Sequence, residues 1–145
     1  MTALTLPAAD APAEEWGRLA VSLPGWRWMP GMRAVDSTGE DTPGRVFDSS
    51  GCVVFEDQDR ELTEERVYLC DVPDSDDPAT AGCLLRLLES EDISLHSDGN
   101  GSPIYLDWWD PKTPMNDPIR FEAPTIGRVC IMVAVHLGRW PGGAE

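Results

Sequence analysis

Apolar residues recur at helical spacing near the start of the chain. Over residues 13–22, Trp16, Leu19 and Ala20 fall on one face, acids occupy the first turn, and a Pro-Gly pair follows the segment. The pattern predicts an amphipathic helix over 13–22. Residues 1–12 are rich in Ala, Pro and Thr and lack such a pattern, so they are predicted to form a frayed lead.

A second helical pattern covers residues 77–89. Asp77 stands directly before Pro78, an arrangement typical of a helix N-terminus, because the aspartate can cap free N–H groups and proline suits the first turn. Leu84 and Leu88 lie four residues apart and share one face. The sequence predicts a central helix over 77–89.

Short runs of β-branched and aromatic residues, separated by Gly, Ser and Asp, predict strands. In the first half they predict a three- or four-stranded antiparallel meander over residues 31–36, 44–48, 52–56 and 66–72. In the second half, strands are predicted at 93–96, 104–109 and 119–122.

The last apolar segment, residues 126–138, fits either a helix or a buried strand. Thr125 could cap a helix, whereas the β-branched run from Val129 to Val135 suits a strand. We favour a helix, because more than ten residues pass without a turn signal and strands average about half that length.

These elements predict a single α+β domain over residues 1–145, with a small antiparallel sheet packed against two or three helices. The expected core includes Leu84, Leu85, Leu88, Val54, Tyr68 and Val133.

Composition agrees with a folded chain kept in a reducing compartment. The chain is 41% hydrophobic with six tryptophans, so wholesale disorder is not expected despite a net charge of -15. Its four cysteines lie in apolar sequence without a Cys-x-x-Cys pair, as buried free thiols do. No run approaches the roughly 20 apolar residues of a membrane span, and no signal peptide pattern is present. We therefore expect a cytoplasmic protein.

Negative charge is concentrated in one third of the chain. Between Asp36 and Asp77 there are 14 acids against three arginines, whereas the remainder holds 12 acids against eight basic residues. On or beside one small sheet, these acids could imitate the phosphates of a nucleic acid and attract a basic groove. A surface that serves only solubility is the alternative.

No catalytic, cofactor or metal motif is predicted. The aspartates between 71 and 77 lack the glycine and glutamate of a calcium loop, and helix capping explains them better. His96 has Ser94 and Ser97 as neighbours in a predicted strand, where they cannot face one another as a catalytic triad does. The chain is predicted not to be an enzyme.

Two segments, Leu-Pro-Gly-Trp-Arg-Trp-Met-Pro-Gly-Met-Arg at 23–33 and Asp-Asp-Pro-Ala-Thr-Ala-Gly-Cys-Leu-Leu at 76–85, resemble a group of small uncharacterised bacteriophage and prophage proteins. The resemblance implies the same order of elements and a phage protein acting in the host bacterial cytoplasm. It implies no catalytic residue.

Charge and resemblance together lead to the hypothesis of a phage-encoded inhibitor. It would bind a host protein with a basic surface, such as a nucleic-acid-binding or antiviral defence protein, as an anti-CRISPR-like mimic of nucleic acid, without binding nucleic acid or membrane itself. In the doublet at 108–109, one ring must face away from the core, because neighbouring strand residues point to opposite sides. The predicted partner-binding residues are Asp57, Asp59, Glu61, Glu64, Glu65, Trp108 and Trp109.

Two alternatives remain open at this stage. The chain could be a small-molecule domain that binds a signalling nucleotide, which would require converging arginines; the candidates are Arg27, Arg33, Arg120 and Arg128. It could also be a phage accessory protein without catalytic activity.

Overall fold

The computed structural model describes residues 5–8, 10–36, 44–46, 53–55, 71–97, 103–113 and 117–142. Within these ranges the chain forms three helices and seven strands. The helices are α1 (Ala13–Ser22), α2 (Pro78–Leu87) and α3 (Ile126–Leu137). The strands are β1 (Arg33–Asp36), β2 (Gly44–Val46), β3 (Val53–Phe55), β4 (Asp71–Pro73), β5 (Ile93–Ser97), β6 (Ile104–Trp108) and β7 (Ile119–Ala123).

The strands form two antiparallel sheets, of four strands in the order β3-β2-β1-β4 and of three in the order β5-β6-β7. The α+β class with sheets packed against helices is confirmed. The strands do not form one sheet, however: α2 separates the two groups in the chain, and each group pairs locally.

The first sheet is not the simple meander predicted from the sequence. Strand β4 pairs with β1, with Val72 opposite Val35, instead of adding to β3. This places β4 at an edge of the sheet, where Pro73 is tolerated because an edge strand can do without one backbone donor.

Helix α2 begins as the sequence predicts. The Asp77 carboxylate accepts a 3.0 Å hydrogen bond from the backbone N–H of Thr80, and Pro78 occupies the first helical position. The helix buries Leu84 and Leu87 against the core and ends at Leu87, with Leu88 as its C-cap.

The ambiguous last segment is a helix, as favoured. Thr125 caps α3 by accepting a 3.3 Å hydrogen bond from the N–H of Arg128, and Gly138 ends it with φ of 78°, in the left-handed region that suits glycine. Helix α3 packs against α1, α2, β6 and β7. This burial outweighs the modest helix propensity of its valines and isoleucines.

The core joins all three helices to the second sheet. Leu84, Leu88 and Val133 are fully buried, as predicted, whereas Leu85 is only partly buried. The predicted core residue Tyr68 lies outside the described residues, as does the side chain of Val54, for which the structure describes only the backbone in β3. Cys83 and Cys130 are buried free thiols, as expected for cysteines used in packing.

The predicted frayed lead is in fact fixed close to α1. Ala11 is buried, and its carbonyl accepts a 2.6 Å hydrogen bond from a guanidinium nitrogen of Arg128 in α3. A buried arginine needs acceptors, and a backbone carbonyl of the lead supplies one.

The start of α3 approaches the chain before α2 so closely that only glycine fits. A Cβ atom built on Gly127 would lie 1.8 Å from the carbonyl oxygen of Ser75, which belongs to the backbone and cannot rotate away. In contrast, a Cβ atom on Gly82 in α2 would meet nothing within 4 Å.

We therefore expect opposite effects of the same substitution at these two helical glycines. Gly127→Ala should lower the free energy of unfolding by about 2 kcal/mol or more, as overpacking against rigid backbone does. Gly82→Ala should raise it by about 0.5–1 kcal/mol through helix propensity. Urea denaturation followed by circular dichroism measures both, and equal stabilities of the two variants would contradict the close approach.

Candidate functional site

Most of the predicted acidic site lies outside the described residues, namely Asp57, Asp59, Glu61, Glu64 and Glu65. Asp36, the described acid at the start of the same segment, does not lie on the surface as predicted. Asp36 is only 6% exposed, so it belongs to the interior of the first sheet and not to a surface patch.

Four residues between β4 and α2 form a turn that gathers arginines from the rest of the fold. We call Asp74, Ser75, Asp76 and Asp77 the aspartate turn. Asp74 accepts a 2.6 Å hydrogen bond from Arg33 of β1, and Asp77 accepts two, at 2.8 and 3.0 Å, from Arg45 of β2. Two strands of the first sheet are thereby fixed to the start of α2.

The third aspartate of the turn holds α3. The carboxylate of Asp76 accepts hydrogen bonds of 2.9 and 2.8 Å from Arg128 and one of 3.0 Å from the Thr125 hydroxyl. The hydrogen bond from Arg128 is the largest influence on the pKa of Asp76 and lowers it against the effect of desolvation. The Arg128 guanidinium also lies 5.9 Å from the ring centroid of Trp16.

These contacts bear on two of the earlier alternatives. Asp77 caps α2, and all three aspartates of the turn form ion pairs. No group of three metal-binding side chains is found in the part of the chain that the structure describes. Of the arginines considered for a nucleotide site, Arg33 and Arg128 are each bound to an aspartate of the turn.

The second sheet has one face toward the core and one away from it. Leu95, Leu106 and Phe121 are register partners and pack on the core side. By strand alternation, a polar set lies on the other side, which we call the outer face. The outer face consists of Ser94, His96, Tyr105, Asp107, Arg120 and Glu122.

An aspartate forms the centre of the outer face. Asp107 is 7% exposed and accepts hydrogen bonds from Arg120 at 2.8 and 3.1 Å and from His96 Nε2 at 3.0 Å. Hydrogen bonding from Arg120, with a smaller contribution from His96, holds the pKa of Asp107 below its ordinary value. The guanidinium of Arg120 also lies 5.2 Å from the ring centroid of Tyr105.

This cluster has the geometry of a cross-strand ion pair. Arg120 stands directly opposite Asp107 in the register, and opposite charges in this position stabilise a sheet. Among the described residues, Nε2 of His96 lies 3.0 Å from a carboxylate oxygen of Asp107 and 3.4 Å from a guanidinium nitrogen of Arg120, so the imidazole belongs to this polar cluster.

The two residues of the tryptophan doublet differ in burial. Trp108 is 5% exposed, donates from Nε1 to Glu91 at 3.0 Å, and packs edge-on against His136 with 5.1 Å between ring centroids. It is a core residue, which corrects its assignment to partner binding. Trp109 remains partly exposed and is the ring of the doublet that a partner could reach.

The pairing of Asp107 with Arg120 was missed at the level of sequence. The signal was present as Tyr-x-Asp at 105–107 and Arg-x-Glu at 120–122, two alternating polar pairs in consecutive predicted strands. Reading it would have required the register of β6 against β7, which the ten residues that link Trp108 to Ile119 leave open.

Comparisons with known proteins do not extend these observations. No family model, curated protein or solved structure matches the chain. Among the described residues, no helix is both long and apolar enough to cross a membrane.

We expect the pKa of Asp107 to depend mainly on Arg120. Titration of the Asp107 carboxyl carbon by NMR should give a pKa below 3.8 in the wild-type chain and a higher one in Arg120→Gln. Arg18→Gln removes the same charge from an exposed position in α1 and should leave the Asp107 value unchanged. Identical Asp107 pKa values in the wild-type chain and Arg120→Gln would contradict the described ion pair.

Proposed function

We propose that this protein is an interaction protein that occupies the nucleic-acid-binding surface of a basic host protein and thereby inhibits it. One observation carries the proposal: among the described residues, four arginines are bound by the chain's own aspartates. Arg33, Arg45, Arg120 and Arg128 are each hydrogen-bonded to an aspartate of the chain itself. These four positive charges are therefore compensated within the chain.

The charged residues that remain are mostly negative. Setting these four ion pairs aside leaves 22 of the 26 acids and seven of the 11 basic residues. The described surface already presents unburied carboxylates, at Glu15, Glu89, Asp92, Asp117 and Glu122. Such a surface attracts basic proteins and competes with phosphates for their arginines and lysines.

The density of acids is greatest where the sequence predicts the contact. Asp57, Asp59, Glu61, Glu64 and Glu65 place five acids within nine residues. Spacings this short approach that of the charges along a nucleic acid, which makes this segment our proposed site of mimicry. Shape and an exposed ring must add specificity, because charge alone gives promiscuous association.

The sequence resemblance to phage proteins supports a particular class of partner. A phage gains from inhibiting host proteins that bind nucleic acid, above all those of antiviral defence such as CRISPR effectors. We therefore propose an anti-CRISPR-like inhibitor that acts in the host cytoplasm by competition and without a catalytic step. The nucleotide-binding alternative gains no support, because three of its candidate arginines, Arg33, Arg120 and Arg128, are already bound by carboxylates of the chain.

Affinity capture from a bacterial host lysate, followed by salt titration of the captured complex, tests the proposal. We expect recovery of a nucleic-acid-binding protein whose affinity falls steeply between low and high salt. Neutralising the acidic segment should weaken binding at least tenfold; the variant changes Asp57, Asp59, Glu61, Glu64 and Glu65 to the corresponding amides.

A matched control removes the same number of charges elsewhere. It changes Asp10, Glu14, Glu15, Glu89 and Asp117 to amides and should lose less affinity than the segment variant, because these acids add only to the long-range attraction. If both variants lose affinity equally, the chain binds through net charge and not through the segment. If the segment variant binds as tightly as the wild type, the mimic mechanism is wrong.

A further inference from the structure

The fold twice holds an arginine between an aromatic ring and a carboxylate. Arg120 lies over Tyr105 and donates two hydrogen bonds to Asp107. In the same way, Arg128 lies near the ring of Trp16 and donates two to Asp76. A planar guanidinium suits this arrangement, because its face stacks on a ring while its edge forms two parallel hydrogen bonds.

The same two components, an aromatic residue and acidic residues, occur around Trp109. This tryptophan directly follows β6 and lines a cleft of about 200 Å³, together with Ser90, Glu91, Asp92, Asp110 and Pro111. The lining residues thus include one tryptophan and three acids, with no basic residue among these described residues.

Hydrogen bonds from neighbouring groups fix the walls of this cleft. The backbone N–H of Trp109 donates to the carbonyl of Asp92 at 3.0 Å, and Glu91 accepts from the Trp108 indole. The Asp110 carboxylate accepts from the backbone N–H of Lys112 at 2.9 Å. Both segments that carry the carboxylates are therefore ordered around the ring before any ligand arrives, which lowers the entropic cost of binding.

The size of the cleft limits what it can hold. Pockets for drug-sized ligands measure about 300–1,000 Å³, so a space of about 200 Å³ suits a single side chain better than a nucleotide. Its charge excludes anions, since three carboxylates would repel a phosphate. An aromatic wall attracts a cation through its ring face.

We propose that the Trp109 cleft binds the guanidinium of an arginine side chain on the partner. The guanidinium stacks on the indole ring and donates to Asp92 and Asp110, as the internal arginines do with Tyr105 and Trp16. The proposal rests on the proposed function, for which it supplies one anchoring contact. It also gives Trp109 a role in anchoring the partner, whereas the acidic segment contributes only charge.

NMR titration of the full ¹⁵N-labelled chain with a blocked Gly-Arg-Gly peptide tests this site. The six tryptophans give six indole N–H signals, of which Trp109→Phe identifies one. We expect that signal to move saturably, with a dissociation constant on the order of millimolar as for one anchoring group. The peptide with citrulline in place of arginine keeps the shape without the charge and should bind at least tenfold more weakly.

Two variants separate the cleft from general acidity. The double variant Asp92→Asn with Asp110→Asn should bind the arginine peptide at least tenfold more weakly than the wild type. The matched double variant Glu89→Gln with Asp117→Asn removes two exposed charges outside the cleft and should bind it normally.

Equal responses to the arginine and citrulline peptides in the wild-type chain would overturn the proposal, and this comparison does not depend on any variant folding. The peptide titration also needs no partner. A chain that captures a basic partner but ignores the arginine peptide would therefore refute the cleft alone. A chain that binds the peptide but captures no basic protein would refute the proposed function alone.

Discussion

The arrangement of this fold depends on the aspartate turn between β4 and α2. Its three carboxylates bind Arg33, Arg45 and Arg128, which belong to two strands and a helix far apart in the chain. The same turn caps α2 and packs its backbone against Gly127 at the start of α3. The first sheet, α2 and α3 are therefore linked to one another through this segment.

The contribution of the aspartate turn to stability depends on pH, because its carboxyls bind protons differently in the native and unfolded states. The hydrogen bond from Arg128 lowers the pKa of Asp76. For Asp77, burial raises the pKa, but hydrogen bonds from Arg45 and Thr80 outweigh this effect, so its pKa is lowered as well. Both carboxyls therefore bind fewer protons in the native state than in the unfolded chain. Their contribution to stability is present above the unfolded pKa, about 3.9, and is lost as the pH falls through the lower native values.

Local signals determined how much could be predicted from sequence. The three helices were predictable because their signals lie within a few residues: the Asp77 cap before Pro78, the Thr125 cap, and apolar spacing along each helix. The pairing of β4 with β1, the division into two sheets and the burial of Asp36 were not, because each depends on contacts between distant residues. The partners of the aspartate turn lie 32 to 52 residues away in sequence. No local sequence pattern indicates which arginine pairs with each carboxylate.

At the candidate site, too, local features could be predicted from sequence and contacts between distant residues could not. Alternation predicted that one ring of the tryptophan doublet would face away from the core, and the structure identifies it as Trp109. The charge surplus could be counted from sequence, but the sequence does not show which arginines are bound by aspartates; the structure shows this for Arg33, Arg45, Arg120 and Arg128. The aspartates of the turn maintain the fold, whereas we propose that the acidic segment and the Trp109 cleft bind the partner.

The central claim is competition for a surface that holds nucleic acid. The most direct measurement is the affinity of the captured partner for labelled nucleic acid, by fluorescence anisotropy, at increasing concentrations of this protein. We expect the apparent dissociation constant of the partner for nucleic acid to rise linearly with the concentration of this protein, and excess nucleic acid to restore full binding. An unchanged dissociation constant, with a ternary complex of partner, nucleic acid and this protein, would contradict it.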